Sequence, residues 1–265
     1  MALWQVLALN FSVSVVCFLG LWLISIRLKD PSFVDSWWAL GMVVMAGASY
    51  GASEVHGPHS RLLTGLCAAW GLRLGCYLLW RWRQNGPDRR YTSMMAHAQR
   101  DRGWGFPKAS LLLVFALQMP LQFVVCLPVM LGQAGLDLNP LGPAGLAGAV
   151  LAMVGITFET VGDFQLTRFK ANAANAGKVM RQGLWRFTRH PNYFGDACVW
   201  WGLYLIGLET PLGAWALPGP VLLTVLLTRW SGVPTVEGRM RRTRPDYADY
   251  AATTSGFIPW PPKRS

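Results

Sequence analysis

The sequence is poor in charge for its length. Only 14% of its 265 residues are Asp, Glu, Lys or Arg, whereas a soluble domain usually carries about 25%. Hydrophobic residues make up 52% and the mean hydropathy is +0.29. An apolar, aromatic-rich chain excludes intrinsic disorder and disfavours a water-soluble globular protein. We predict an all-α, polytopic membrane protein.

Several common site signatures are missing from the sequence. The five cysteines at positions 17, 67, 76, 126 and 198 form no CxxC pair and have no histidine at metal spacing. We therefore expect small buried hydrophobes, with neither a disulfide framework nor a metal site. There is no GxGxxG after a strand and no GxxxxGK[ST], so the soluble nucleotide-binding architectures do not apply.

Apolar runs long enough to cross the roughly 30 Å of bilayer hydrocarbon predict seven transmembrane helices. They are too long and too uniformly apolar for barrel strands. Thr210 and Pro211 separate the last two runs, which predicts a tight helical hairpin. We treat residues 1–265 as one membrane-embedded domain. The predicted spans cover residues 2–26, 33–50, 62–80, 109–132, 142–161, 197–209 and 212–228.

The net charge of +11 is concentrated in four segments, which hold 22 of the 24 Lys and Arg residues. They are residues 27–34, 81–108, 162–196 and 229–265. With seven spans all four lie on one side, and the positive-inside rule makes that side cytoplasmic, with the N-terminus outside and the C-terminus inside. In a bacterium this would be the inner membrane. Nucleic-acid binding is not indicated and no obligate protein partner is evident. The surplus charge leaves two readings open, topology alone or an anionic ligand or lipid.

Arg73 lies in the middle of the third predicted span, where a charge costs at least a few kcal/mol. Tyr77 and Arg81 follow at successive turns on the same face. The stripe should therefore face the bundle interior. Arg73 could pair with a buried carboxylate such as Glu159, or it could clamp a phosphate or carboxylate at the mouth of a cavity.

Two carboxylates bracket the second predicted span. Asp35 could cap the start of this helix, and Glu54 could be a solvated acid in a short external loop. If the helix bundle shields it, either could instead be a proton donor, because burial raises the pKa of a carboxyl group.

The segment 162–196 carries the densest polar pattern. Asp163 and Lys170 lie two turns apart on the extended fifth helix, Gly183 breaks the chain, and Pro191 can open a new helix with Asn192 in its first turn. Free N–H groups and the helix dipole make such a terminus suitable for an anion. The side chains that surround it are Arg186, Arg189, His190 and Tyr193.

These features together resemble the steroid 5-alpha-reductase family, particularly its bacterial branch of membrane reductases, formerly a domain of unknown function. The resemblance covers most of the chain and is strongest over 150–259. The matching residues are Asp35 with Trp38, Arg73 with Tyr77 and Arg81, Gly86 to Tyr91, Asp163 with Lys170, Gly183 to Asp196, Glu237 with Gly238 to Met240, Pro245 to Tyr250, and Phe257 to Pro259.

The resemblance implies a seven-helix, NADPH-dependent oxidoreductase acting on CH–CH bonds, with its cofactor cavity open to the cytoplasm. Hydride would pass from the nicotinamide to the β-carbon of a 3-oxo-Δ4 steroid or another lipid enone. The resemblance assigns NADPH binding to Arg73, Tyr77, Arg81, Arg89, Arg90, Tyr91, Asp163, Lys170, Trp185, Arg189, His190, Asn192, Tyr193, Asp196 and Glu237.

The proton donor departs from the family pattern. Better-known members polarise the substrate carbonyl with a Glu on the second helix and a Tyr on the third. When the third helix is aligned on Arg73, the Tyr position falls near Trp70. Our candidates for the catalytic role are Asp35, then Glu54, with Tyr77 as helper.

Two other functions remain open at this stage. Isoprenylcysteine and phospholipid methyltransferases carry similar Arg-His-Pro-x-Tyr segments, so a methyltransferase that uses S-adenosylmethionine on a prenylated or lipid substrate is the alternative enzyme. A non-catalytic transporter is the third possibility. It lacks support because paired inverted halves are not visible in the sequence.

Overall fold

The computed structural model describes residues 2–135 and 137–263, and every regular element in these residues is a helix. The chain forms two compact units. The first comprises Met1–Leu146 and Leu203–Gly219, and the second comprises Ala147–Gly202 and Pro220–Ser265.

Eleven helices of the described residues are used below. In chain order they are α1 Leu3–Leu28, α2 Val34–Gly51, α3 Pro58–Asn85, α4 Arg89–Arg102, α5 Phe106–Val125, α6 Leu127–Gly132, α7 Pro143–Ala171, α8 Pro191–Gly207, α9 Pro218–Val225, α10 Val233–Thr243 and α11 Tyr247–Thr253.

Five helical stretches of the described residues are long and apolar enough to cross a membrane. These are α1, α3, α5, α7 and the stretch Gly213–Thr243, which contains α9 and α10. This pattern fits a multi-pass membrane protein. The other two predicted spans are also helices but fall outside this group. Helix α8 has 17 residues, which rise roughly 26 Å, and α2 begins with polar residues around Asp35.

The structure corrects three boundaries of the sequence prediction. The predicted span 109–132 is divided at Cys126, with Pro128 in the first turn of α6. The helix expected from 212 starts instead at Pro218, because a 3-10 turn at Gly213–Ala216 precedes α9. Helix α3 starts at Pro58, earlier than expected, because proline suits the first helical turn.

Close helix packing in the first unit depends on glycines. A Cβ on Gly71 of α3 would lie 2.9 Å from the carbonyl oxygen of Ala39 in α2, and one on Gly75 would lie 3.2 Å from that of Ser36. Small residues let helix backbones approach in this way within membranes. At the end of the unit where α2 begins, Phe18 and Tyr91 belong to a buried aromatic cluster that also contains Phe33 and Phe115.

In the second unit, α7 and α8 approach even more closely. A Cβ on Gly195 would lie 2.6 Å from the carbonyl oxygen of Gly155, and one on Gly202 would lie 2.5 Å from that of Gly148. The glycines repeat every seven residues on both helices, so they form one continuous seam. This seam brings the start of α8 against the Asp163 region of α7.

The cysteines are all free, as expected. Cys67, Cys126 and Cys198 are buried, but Cys76 is exposed. The prediction of burial was therefore wrong for Cys76, which lies on an outward face of the apolar helix α3. An apolar side chain on a membrane-spanning helix can face lipid, so it does not need burial in the protein.

Candidate functional site

In the first unit, Asp35 is the centre of a hydrogen-bond network. The Tyr91 hydroxyl donates to Asp35 Oδ1 at 2.5 Å, and the Arg90 guanidinium donates to Asp35 Oδ2 at 2.7 Å. The Gln118 amide donates to the Tyr91 oxygen at 3.1 Å, and Trp38 donates to Gln118 Oε1 at 2.7 Å. The network therefore joins α2, α4 and α5.

Helix α4 is placed by its own N-terminal cap. Asp88 accepts from the Arg90 amide at 2.8 Å and pairs with the Arg90 guanidinium. Burial acts to raise the pKa of Asp88, but its hydrogen bonds with Arg90 outweigh burial and hold that pKa below its usual value. Burial, followed by the charge of Asp35, raises the pKa of Tyr91, so its phenol keeps its proton.

The structure changes the interpretation of both candidate acids. Asp35 is not the helix cap, because Phe33 occupies the cap position and Asp35 lies in the first turn. Glu54 is exposed in the short connection between α2 and α3, as the loop interpretation predicted. The two carboxylates lie at opposite ends of α2, roughly 25 Å apart at 1.5 Å per residue, so they belong to different sites.

The stripe on α3 has the predicted register. The Arg81 guanidinium lies 5.9 Å from the centre of the Tyr77 ring, and Tyr77 also stacks on Trp80 with ring centres 6.1 Å apart. Arg73 and Tyr77 are half-buried, whereas Arg81 and Arg89 are exposed. Arg81 and Arg89 form no ion pair with a carboxylate within the described residues.

In the second unit, the start of α8 is held against α7 by specific contacts. Pro191 opens the helix, as predicted, and the Asn192 amide donates to the buried Asp163 at 3.3 Å. The Trp185 indole donates to the Gly162 carbonyl at 3.1 Å. Gly183 adopts a φ of +59°, which confirms the predicted break in the chain.

Arg189 is at the centre of a second network in this unit. Its Nε donates to Glu237 at 2.8 Å, and its Nη1 donates to the carbonyl oxygens of Ala251 and Thr254 at 2.9 and 2.7 Å. His190 Nε2 lies 3.2 Å from the same Glu237 oxygen. Arg189 and Glu237 thus fasten the segment before α8 to α10 and α11, so much of the charge of Arg189 is already balanced.

Aromatic residues complete this network. The Tyr250 hydroxyl donates to the Trp185 carbonyl at 2.5 Å, and the rings of His190 and Tyr193 stack with centres 5.3 Å apart. A shallow cavity of about 340 Å³ lies beside Arg189, between it and the segment after α11. Of the remaining predicted residues, Lys170 is exposed near the end of α7 and Asp196 is half-buried in α8.

Sequence analysis missed a third cluster, in the first unit. His59 is 1% exposed and lies between two carboxylates, with Nδ1 2.6 Å from Asp137 Oδ2 and Nε2 2.8 Å from Glu209 Oε2. Glu209 also accepts from the amides of Gly142 and Gly145 at the start of α7. The three side chains of this cluster are far apart in the sequence and match no known motif spacing. Only the chemistry of an imidazole and two carboxylates could have marked them as a possible site.

This cluster lowers the pKa of one of its acids. Desolvation acts to raise the pKa of Glu209, but the hydrogen bonds from His59, Gly145 and Gly142 outweigh it and lower that pKa to about 2. Among the described residues, no group of three or more His, Cys, Asp or Glu side chains is arranged to hold a metal ion.

Comparison with known proteins identifies one relationship. The profile of the DUF1295 family, described as a protein of unknown function, matches residues 21–254. The chain belongs to this family. No curated protein and no solved structure matches it significantly.

The match to the DUF1295 family covers all three clusters. Asp35, His59, Arg189 and Glu237 lie inside it, as does the contact between Asp163 and Asn192. The family description assigns no activity, so the function has to be argued from the chemistry of the residues.

Proposed function

We propose that this protein is an NADPH-dependent membrane reductase of the carbon–carbon double bond of a steroid-like or other lipid enone. The proposal keeps the resemblance to the steroid 5-alpha-reductase family. It includes seven spans, with α2 and α8 as the two that are shorter or more polar, an outside N-terminus and a cytoplasmic C-terminus.

The observation that carries the proposal is the start of α8. Asn192 lies in the first turn of a helix whose N–H groups and dipole favour an anion, and its amide is oriented by the buried Asp163. A fixed amide at such a terminus suits recognition of a cofactor with ribose, phosphate and carboxamide groups. Lys170 and Tyr193 would complete the contacts from this unit.

The resemblance also assigns cations of the first unit to the cofactor. Arg81 and Arg89 are exposed and form no ion pair with a carboxylate in the part of the chain that is described, which would leave them able to bind the 2′-phosphate and the pyrophosphate. Arg73 and Tyr77 lie on the same face as Arg81. The bound cofactor would supply the hydride, and the protein would supply binding, orientation and a proton.

The Asp35 network supports a revised role for its residues in proton supply. In this geometry Asp35 accepts hydrogen bonds from Tyr91 and Arg90, so the proton resides on the Tyr91 phenol. We assign the proton to the Asp35–Tyr91 pair rather than to Asp35 alone, with Tyr77 as helper. Glu54, at the other end of α2, is exposed and nothing near it shields it.

A cofactor test on the purified protein examines the proposal directly. Thermal unfolding would be followed with NADPH, NADH and S-adenosylmethionine side by side. We expect NADPH to stabilise most, by about 2.7 kcal/mol at 100 times its dissociation constant. Equal stabilisation by NADH would show that the arginines do not recognise a 2′-phosphate.

The same test separates the alternative enzyme. The engagement of Arg189 with Glu237 favours a methyltransferase, because it removes one cation from those available for phosphates, and S-adenosylmethionine carries no phosphate. Stabilisation by S-adenosylmethionine alone would therefore replace the reductase with a methyltransferase of a prenylated or lipid substrate.

A further inference from the structure

The connection between α4 and α5 places two cations on one indole ring. The Arg102 guanidinium carbon lies 4.9 Å from the centre of the Trp104 ring, and Lys108 Nζ lies 5.0 Å from it. Gly103, with a φ of +64°, turns the chain so that α4 ends and Trp104 comes back between them. Both cations are exposed.

Neighbouring acids do not neutralise this pair. Asp101 is paired with Arg100 at 3.0 Å, and the acids of the Asp35 network are engaged with Arg90. Neither Arg102 nor Lys108 forms an ion pair in the described part of the chain. Two like charges that share one ring repel each other, so an anion that contacts both would be bound favourably.

The position on α5 indicates which kind of anion fits. Lys108 lies in the first turn of the candidate span Phe106–Val125, and Leu112, one turn further on the same face, is 45% exposed. The Trp22 indole donates to the Pro107 carbonyl at 3.0 Å and fixes this end of α5 to α1. Indole rings and basic side chains at the end of a span lie at the level of lipid headgroups.

We propose that Arg102, Trp104 and Lys108 bind the phosphodiester of an anionic phospholipid, with an acyl chain along Leu112. The exposed leucine below the cations favours a lipid over a free phosphate, because a soluble anion gains nothing from an apolar surface. This site goes beyond the proposed reductase function, since none of the three residues belongs to the proposed cofactor set.

Lipid binding to the detergent-solubilised full chain tests the proposal. Native mass spectrometry would give the affinities for phosphatidylglycerol and phosphatidylcholine in the wild type and in the double variant Arg102→Gln with Lys108→Gln. Each basic residue near the surface contributes roughly five-fold to binding of an anionic lipid. We expect the double variant to lose about 25-fold in affinity for phosphatidylglycerol and to bind phosphatidylcholine as before.

A matched double variant provides the control. Arg239→Gln with Arg242→Gln removes the same charge from exposed positions on α10 and should leave phosphatidylglycerol affinity within about two-fold of the wild type. An equal loss in this control would mean that net charge alone attracts the lipid, which overturns a localised site. Stabilisation by soluble glycerol phosphate equal to that by phosphatidylglycerol would overturn the lipid as ligand.

Two further measurements keep the test independent of folding and of the cofactor. Brominated phosphatidylglycerol should quench less tryptophan fluorescence in Trp104→Phe than in the wild type if lipid lies against this ring. Unchanged quenching would count against the site. Stabilisation by NADPH should be the same in wild type and Arg102→Gln with Lys108→Gln. Its loss would assign these cations to the cofactor and overturn the lipid site.

Discussion

Individual side chains in this protein are held by more partners than the sequence pattern could indicate. Asp35 was predicted as a cap or as a proton donor, and it instead accepts from Tyr91 and Arg90. Arg189 was predicted from its place beside a helix start, but the residues that engage it lie 48 to 65 positions further along the chain. Local spacing identifies which residues carry chemistry, whereas long-range partners decide what that chemistry is.

The Asp35–Tyr91 pair predicts a separation of binding from chemistry. Tyr91→Phe removes the phenol proton and keeps the ring, so it should slow the reductive step by roughly 10²- to 10⁴-fold, the usual contribution of a general acid. NADPH stabilisation should change little, since only the transition state gains from the proton. Single-turnover oxidation of bound NADPH with an enone present measures this. Normal turnover in Tyr91→Phe would exclude the pair.

Substitution of Asn192 should instead weaken NADPH binding. Asn192→Ala removes the amide at the start of α8 and should weaken NADPH binding about 10- to 150-fold, the effect of one lost hydrogen bond to a charged or buried group. Asn139→Ala, at an exposed position, is the matched control. Thermal shift against NADPH concentration gives both affinities, and an unchanged affinity in Asn192→Ala would contradict the cofactor site.

Glu209 predicts a dependence of stability on pH. A carboxyl whose pKa is about 2 in the folded protein, below its usual 4.5, contributes stability above pH 4.5 that is lost as pH falls toward 2. Allowing for solvent screening, the contribution is about 1–2 kcal/mol at neutral pH. Unfolding of the wild type and of Glu209→Gln between pH 7 and 2 would measure it.

The expected result is a difference in stability that shrinks as the pH falls. At neutral pH Glu209→Gln should be less stable than the wild type, and the two should approach each other only as the pH nears 2. Asp249→Asn, at an exposed position on α11, provides the control and should follow the wild type throughout. A constant difference between Glu209→Gln and wild type would show that the carboxylate charge does not stabilise this cluster.

At the scale of helices, the sequence predicted those ends that a proline or a glycine marks. Proline and glycine determine where a helix can begin or end, so the break at Gly183 and the start of α8 at Pro191 were predictable. The division of the fourth run near Cys126 was missed although Pro128 marks the start of α6, because apolar residues continue across it. The cluster of His59, Asp137 and Glu209 joins three distant segments, and no periodicity within one helix encodes it.

A glycine-to-alanine substitution should change stability in opposite directions inside and outside the glycine seam between α7 and α8. Gly202→Ala puts a methyl group 2.5 Å from the Gly148 carbonyl oxygen, and such overpacking should destabilise by about 1–3 kcal/mol. Gly47→Ala lies in α2 with nothing within 4 Å. It should be neutral or stabilise by up to about 1 kcal/mol, through helix propensity. Thermal unfolding of both variants measures the two changes in stability. Equal changes would mean that the seam does not constrain packing.

At the scale of the whole molecule, composition predicted the all-helical, multi-pass class because apolar runs of this length have few alternatives. The number of spans is less determined by composition. Five stretches of the described residues meet the length and hydropathy that a crossing requires, and whether α2 and α8 also cross decides on which side each loop lies. Charge provides the independent constraint, since seven crossings put each of the four basic segments after an odd-numbered crossing and therefore on one side.

Reporter fusions test the seven-span arrangement. A reporter fused after Ser265 should be active on the cytoplasmic side, and one inserted at Asn139, exposed between α6 and α7, should be active outside. The physical reason is that Lys and Arg resist translocation, so the segments that contain them stay in the cytoplasm. With only the five stretches crossing, the segment at Asn139 would follow the third crossing and the C-terminus would follow the fifth, so both would lie on the same side. A cytoplasmic signal at Asn139 together with a cytoplasmic signal after Ser265 would therefore rule out seven spans.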